Sequence, residues 1–439
     1  MMNIITLHRK IPGTLLGLPF VFLMLIALLG LAGCGSSGQS GSSTVLPTPP
    51  TPAVVQGYLG TQGAQSANNG GGVWQMSLDD ADHTYHIALS QDLGYEGIGT
   101  TTSSNGVVLV GQESVGNGIG YAVEIPGRAT LYRPAGLSQY IYTAPVVLVA
   151  QGDCLNLNGT ATFQFVPLPD MRWNPSTDWA YGSVQASTSG IQWNFSNLGL
   201  FTQGGSSVQT PALQAGTCAD SSNGNMVSIL PDTANNIPAT TIGVGPTGFF
   251  FADASFTPSH VQVLPAKVGV IQPTSALDTS AVTAAKYTGL LYEAPCSDNS
   301  NQCGNFGGSA TNPMTELVVF GPGASGTLAG GAYPSRESTN LASIVFDLTQ
   351  SPATNIGITL GPQDAKNNGL YKSASVTLPD PSNLCSTTTG TAGKDASGNP
   401  TCTVPAVAVV GNPESKYAIF LIAEDLLTNR PLGIYLYQQ

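Results

Sequence analysis

Apolar and polar positions alternate in short runs along most of the chain. The runs are broken every roughly 8–15 residues by Gly, Asn, Pro or Ser, a period-two pattern that predicts half-buried strands joined by turns. Residues 73–78 (VWQMSL), 84–89 (TYHIAL), 106–111, 119–125 (IGYAVEI), 145–150 (PVVLVA), 160–166 (TATFQFV), 315–320 (TELVVF) and 341–348 (LASIVFDL) are the clearest. Helical periodicity is nearly absent, and Ala276–Lys286 is the best candidate for a turn or two of helix. Two hairpins are legible: Ser183–Ser187 with Ile191–Ser196, and Tyr417–Glu424 with Leu432–Tyr437. The fold class is therefore all-β, with antiparallel sheets.

A weak internal recurrence refines that expectation. An opening strand carries an aromatic close to a glycine at Tyr58–Gly60, Tyr181–Gly182 and Tyr287–Gly289. A closing hairpin has an aromatic-rich first arm at 120–125, 248–253 and 416–422, and a second apolar arm at 129–132, 267–271 and 432–437. Roughly 24 short strands fit two or three small barrels or sandwiches in series, the alternative being a single β-propeller. A propeller should repeat every 40–50 residues, and no such repeat is visible. The expected organisation is 54–170, 171–284 and 285–439 as three β modules, preceded by 1–33 and 34–53 as non-globular segments.

Those first segments have their own pattern. His8, Arg9 and Lys10 precede an uncharged apolar run from Leu15 to Leu31, which ends in Leu31-Ala32-Gly33-Cys34. This resembles the signal peptide and lipobox of bacterial lipoproteins; the resemblance covers residues 1–34, and the body resembles no nameable family. A retained transmembrane helix is the other reading of the run, which approaches the ~20 apolar residues that span a bilayer. The resemblance implies cleavage before Cys34, a diacylglyceryl thioether on its sulfur and a further acyl group, such as palmitate, on its amine. One acyl chain anchors only marginally, so several are needed for stable attachment. Gly35 follows the cysteine where lipoproteins kept at the inner membrane commonly carry Asp, so the resemblance points to the outer membrane. Residues 35–53, rich in Gly and Ser and then in Pro and Thr, read as a tether reaching roughly 30–40 Å.

Charge narrows the partners. Charged residues are 9% of the chain, against ~25% in an average soluble protein. Removal of 1–33 leaves 11 basic and 25 acidic side chains, a formal charge of −14, since Arg9 and Lys10 are two of the 13 basic residues. That excludes ordinary nucleic-acid binding, which needs clustered Lys and Arg. A surface of neutral polar groups should also tolerate acid, because few carboxylate pairs are there to be lost.

Beyond Cys34 lie six cysteines: Cys154, Cys218, Cys296, Cys303, Cys385 and Cys402. An even number in an exported chain reads as disulfides. Fifteen pairings are possible; proximity favours Cys296–Cys303 and Cys385–Cys402, leaving Cys154–Cys218. No C-x₂-C spacing or nearby histidine supports a metal at these cysteines.

Candidate chemistry is sparse. Asp79, Asp80 and Asp82, with His83 and His86, read as a solvated hairpin loop; a calcium site at the three acids is a weaker reading and a transition metal a weaker one still. Acids near strand ends, Glu124, Asp253, Glu293, Glu316, Asp347 and Glu424, could supply the facing pair of a glycosidase, although Glu124 and Asp253 read more simply as solvated acids at a sheet rim. Nucleophile elbows, Walker loops and dinucleotide fingerprints are missing, and no cofactor is implied. Trp173 and Trp179 lie on a loop that could stack on sugars or grip a hydrophobic partner, the plainer reading being that Trp179 and Trp193 are core. The function expected is a membrane-tethered envelope lipoprotein whose β body binds a glycan or an envelope protein, or serves as a structural surface component. A secreted polysaccharide hydrolase is the alternative.

Overall fold

The computed structural model describes residues 56–62, 73–79, 84–89, 92–104, 107–111, 119–133, 145–152, 160–168, 180–187, 192–200, 213–214, 226–229, 240–256, 262–264, 266–293, 314–333, 335–337, 344–346, 355–387, 390–424 and 431–439. The strand pairings are antiparallel, and they build barrels rather than propeller blades.

The first unit is a closed barrel of β1 (Gln56–Gln62), β2 (Trp74–Asp79), β3 (Thr84–Leu89), β4 (Asp92–Ser104), β5 (Val107–Gly111), β6 (Ile119–Ile125), β7 (Ala129–Arg133) and β8 (Val146–Ala150). Each strand pairs with the next, and β1 pairs with β8 to close the ring. Alternate residues fill its inside: Tyr58, Trp74, Met76, Leu78, Tyr85, Ala122, Tyr132, Val146, Leu148 and Ala150. The intervening Leu59, Val123, Leu131, Val147 and Val149 point outward, yet they are buried too. Burial on both faces explains why Val146–Ala150 is a continuous apolar run with no alternation.

The second unit is an eight-stranded open sheet. It comprises β9 (Thr160–Pro167), β10 (Ala180–Ser187), β11 (Gln192–Leu200), β12 (Leu213–Gln214), β13 (Met226–Ile229), β14 (Thr240–Val244), β15 (Phe249–Ala252) and β18 (Lys267–Ile271). The short hairpin β16 (Ser255–Phe256) and β17 (Gln262–Leu264) lies outside this sheet. Strand β9, which falls in the first module as read from sequence, belongs to this sheet and pairs with β18.

The helix α1 (Thr279–Ala284) follows, within the stretch expected to be helical. The third unit contains β19 (Tyr287–Glu293), β20 (Met314–Pro322), β21 (Thr327–Ala332), β24 (Ile356–Thr359), β25 (Leu370–Pro379), β27 (Pro400–Gly411), β28 (Ala418–Glu424) and β29 (Pro431–Gln438). Two small excursions interrupt it: the hairpin β22 (Ser335–Glu337) and β23 (Ile344–Phe346), and β26 (Thr391–Lys394), which pairs with the start of β27. The sheet closes on itself, because β25 pairs with β27 while β27 pairs with β28. It is therefore a second eight-stranded barrel. Its inside is filled by Leu291, Val318, Phe320, Ile358, Val376, Val404, Leu421, Ile434 and their neighbours.

One rule runs through all three units: the first strand pairs with the last, as β1–β8, β9–β18 and β19–β29. The glycines of the opening strands sit at two of these seams. A Cβ on Gly60 would lie 2.2 Å from the Val147 carbonyl oxygen, and one on Gly289 would lie 1.8 Å from that of Tyr435. Both distances are inside van der Waals contact with main chain, so only glycine lets the seam strands approach. We expect Gly289→Ala to cost about 3 kcal/mol, the upper end for overpacking, read from the urea midpoint. A loss below 1 kcal/mol would show that the seam can widen freely.

The units share one core. Strands β1 and β8 lie against β15; β9 and β18 lie against β27 and β28; β19 and β29 lie against β6, and β19 also against β7. Each seam thus rests on the same late hairpin of another unit, a head-to-tail contact repeated until it closes, as in a ring of three subunits. Phe249 of the open sheet sits 6.4 Å from Phe420 and 5.6 Å from Tyr437 of the second barrel, near edge-on in both cases. Phe420 also meets Tyr437 edge-on at 6.2 Å. Edge-to-face rings add about 0.5–1.5 kcal/mol per pair beyond the area they bury.

Candidate binding end of the second barrel

Because successive strands reverse, the connections of each barrel alternate between two ends. One end, the root, is where the chain enters and leaves. In the first barrel the root connections span only 80–83, 105–106 and 126–128, while the opposite end carries 63–73, 90–91, 112–118 and 134–145. The second barrel repeats the asymmetry: 323–326, 360–369 and 412–417 at the root, and 294–313, 333–355, 380–399 and 425–430 at the other end.

The roots are occupied by structure. Tyr58 donates to the Glu124 carboxylate inside the first barrel and accepts from the Gly127 amide at 3.1 Å. Burial, followed by the Glu124 charge, raises the Tyr58 pKa far beyond its ordinary value, so the phenol stays protonated. Arg128, on the same β6–β7 turn, pairs with Glu414 at 3.0 Å and donates to the Pro413 carbonyl at 3.3 Å, bolting the first barrel to the β27–β28 turn of the second. Helix α1 lies over the root of the second barrel. Its Val282 enters the barrel core, Tyr287 donates to the Val282 carbonyl at 2.7 Å, and Asp278 caps the helix by accepting from Ser280 N at 2.9 Å.

The opposite end of the second barrel is built differently. The excursion between β25 and β27 is braced by the Cys385–Cys402 disulfide, the pair that proximity favoured. Both sulfurs belong to the barrel core. Asp380, nearly fully buried, accepts from the amides of Leu384 and Cys385 at 2.7 and 3.0 Å. Asp395 folds the following turn by accepting from the amides of Ser397 and Asn399. The hairpin arm β26 is exposed at all four residues.

At this same end lies Glu316, near the start of β20. It alternates with Leu317, which joins the shared core, and is in phase with Val318 and Phe320, which line the barrel; its register partner is Leu291, another lining residue. The carboxyl therefore faces the barrel axis. It is 7% exposed and has no hydrogen-bond or ion-pair partner among the described residues. Burial alone pushes its pKa up to about 7. The main chain brings two more acids to this rim: Glu293 ends β19 opposite Leu432, and Glu424 ends β28 opposite Pro431.

The acids of the sequence reading thus separate. Glu124 and Asp253 are not the solvated rim acids expected. Glu124 is engaged by Tyr58, and Asp253 is buried between units, accepting from Thr61 Oγ1 at 2.6 Å and from the Ala254 amide at 2.9 Å. Aromatic-x-x-acid puts the acid at the end of its strand, where Tyr58 of the same barrel takes up Glu124 and Thr61 of the first barrel takes up Asp253. Glu316, Glu293 and Glu424 share one end, while Asp347 lies outside the described residues. Trp74 is core, 6.5 Å from Tyr132. Strands β2 and β3 pair as a hairpin, with Asp79 opposite Thr84 and His86 half-buried opposite Ser77, and the loop residues 80–83 lie outside those described. No three His, Cys, Asp or Glu among the described residues are placed to hold a metal ion. Cys34, Asp80, Asp82, His83, Cys154, Trp173, Trp179, Cys218, His260, Cys296 and Cys303 lie outside the described residues, as do the details of the Trp193 side chain. Sequence reading missed Asp380 and the Arg128–Glu414 bolt. Neither carries a motif, and both depend on pairings made far along the chain.

No family model matches the chain, and no curated protein matches it. Two solved structures are similar to it, a single and a double point mutant of the vaccine antigen transferrin binding protein B from Haemophilus parasuis Hp5. They share 10% and 7% identity with it, cover 89% of it and 77% and 76% of their own chains, and have TM-scores of 0.27 and 0.28. Likeness at that level says nothing about function.

Proposed function

We propose that the chain is an envelope lipoprotein, anchored at the outer membrane through acyl chains on Cys34, whose body of three β modules binds a glycan or an envelope protein through the loop-bearing end of the second barrel. What supports the reading is an asymmetry. Apolar side chains make up most of the described interior of both barrels, while the long connections leave from the end opposite the one that bolts the units together. Binding residues are disproportionately carried on such connections when a rigid scaffold positions them. No helix among the described residues is long and apolar enough to cross a membrane. In this reading attachment is through acyl chains on Cys34, several of which are needed for a stable hold.

Two measurements test it. Cys34→Ser should move the protein from the membrane pellet to the soluble fraction; unchanged sedimentation would remove the anchor from the account. The soluble body, residues 54–439, should bind one class on an array of glycans and envelope proteins. Polyethylene glycol attached at Lys394→Cys, on exposed β26, should block that binding. The same polymer at Lys366→Cys, exposed in the root connection, should not. Blocking from the root, or from neither position, would place the binding surface elsewhere.

A further inference from the structure

The Glu316 carboxyl is a buried acid with no hydrogen-bond or ion-pair partner among the described residues. An isolated carboxylate taken out of water costs several kcal/mol unless it finds a cation or donors, and a glutamine or leucine would fill the same space without that liability. It faces the axis from β20 at the end where Glu293 and Glu424 also terminate their strands, and Leu291 and Val318 beside it are fully buried and offer no donor. The second barrel's root, by contrast, is closed by α1.

We propose that Glu316 is the anionic seat of a site for a primary ammonium group, brought to the loop-bearing end of the second barrel by the partner that binds there. The inference rests on the binding role argued above and adds the chemistry of the ligand. A carboxyl set between the apolar side chains of Leu291 and Val318 suits one monovalent cation with directed donors. Calcium takes six to eight oxygens, and no three His, Cys, Asp or Glu among the described residues are placed to hold a metal ion. The acidic balance of the chain attracts such a ligand at a distance, and the low-polarity surroundings of Glu316 strengthen the pair once water is displaced. The burial that holds part of the carboxyl protonated near neutrality is offset when the cation arrives, so binding should release a fraction of a proton. An ammonium can come from a lysine side chain of a polypeptide or from a free polyamine.

Calorimetric titration of the soluble body with hexalysine and, separately, with spermidine tests this at low salt and at physiological ionic strength. At least one probe should bind wild type with an affinity that survives salt, because a buried pair is screened far less than an exposed one. Binding by hexalysine alone assigns the ammonium to a polypeptide, and by spermidine alone to a small amine. Glu316→Gln should weaken that probe at least tenfold. Asp278→Asn, which removes one acid at the root end and keeps a capping side chain, should leave it within twofold. A thermal melt of each variant checks the fold. Equal affinity for wild type and Glu316→Gln, parallel losses in both variants, or binding that vanishes with salt would overturn the proposal. If neither probe binds but polymer at position 394 still blocks an array partner, the ammonium site falls and the binding role stands. If no array partner is blocked from that position, the binding role falls independently.

Discussion

Truncating Phe420 to alanine should cost 3–5 kcal/mol, about the range seen when a fully buried aromatic ring is removed. Phe420 is fully buried, and its ring touches Phe249 of the open sheet as well as Tyr435 and Tyr437 of its own barrel. The cavity would open where units meet, between strands already held in register by their own ladders, so it cannot collapse easily. Urea unfolding followed by far-ultraviolet circular dichroism measures the loss. A cycle with Phe249→Ala should give a coupling of about 1 kcal/mol, since the two rings are in direct contact. Losses under 1 kcal/mol would mean that the units are held by their seams alone and that the shared core contributes little.

The second large effect is a dependence on pH. In the unfolded chain Glu316 ionises near its ordinary value of 4.5; in the folded protein burial holds it protonated up to about 7. Below pH 4.5 both states carry the proton and Glu316 costs nothing. Between pH 4.5 and 7 the unfolded state releases it first, so stability falls as pH rises. Above pH 7 the full penalty, about 3 kcal/mol, is in place and stays constant. Glu316→Gln should match wild type in slope below pH 4, lose the decline between pH 4.5 and 7, and so gain on wild type up to about pH 7 and hold that margin at pH 8. Urea midpoints at pH 4, 6 and 8 would show it, and parallel curves for the two proteins would show that the folded carboxyl is well solvated. Asp364 acts in the opposite sense. Its hydrogen bond and 2.8 Å ion pair with Lys372, helped by Asn367, hold its pKa at about 2. The stability it contributes is present above its unfolded value and is lost only as pH falls through about 2. Acid tolerance, expected from the scarcity of charge, thus gains a specific contributor in a residue that favours the folded state when protonated.

Local pairings were the legible part of this fold. Trp74–Asp79 with Thr84–Leu89, Ser183–Ser187 with its partner, and the C-terminal hairpin each join neighbours through a turn with its own residue signature. The aromatic–glycine pairs at Tyr58 and Tyr287 marked true opening strands, because the seam needs a bare backbone there. Tyr181-Gly182 did not: β10 sits beside the opening strand β9, which carries Phe163 and Phe165 and no glycine. Closure of the second barrel through β25 and β27 was hidden, since the excursion carrying β26 separates the two strands and nothing in either reveals the other. The candidate end was half legible. Glu316 stood out as an acid near a strand end, but its burial depends on register with Leu291 and on the fact that Val318 faces a barrel and not solvent. Cys385 with Cys402 was readable from proximity, while Asp380, which organises the same excursion, looked like any loop aspartate.

Pairing first strand with last also bears on how the protein is made. Thr61 must wait for Val147 before its strand has a neighbour on that side, and Thr288 must wait for Tyr437, the third-last residue. An exported chain emerging amino end first would therefore carry naked, adhesive flanks for most of its transit. Contacts this distant along the chain slow assembly by their loop-closure entropy. The last barrel cannot close until β29 has been made, so β19 is the seam strand that waits longest for its partner.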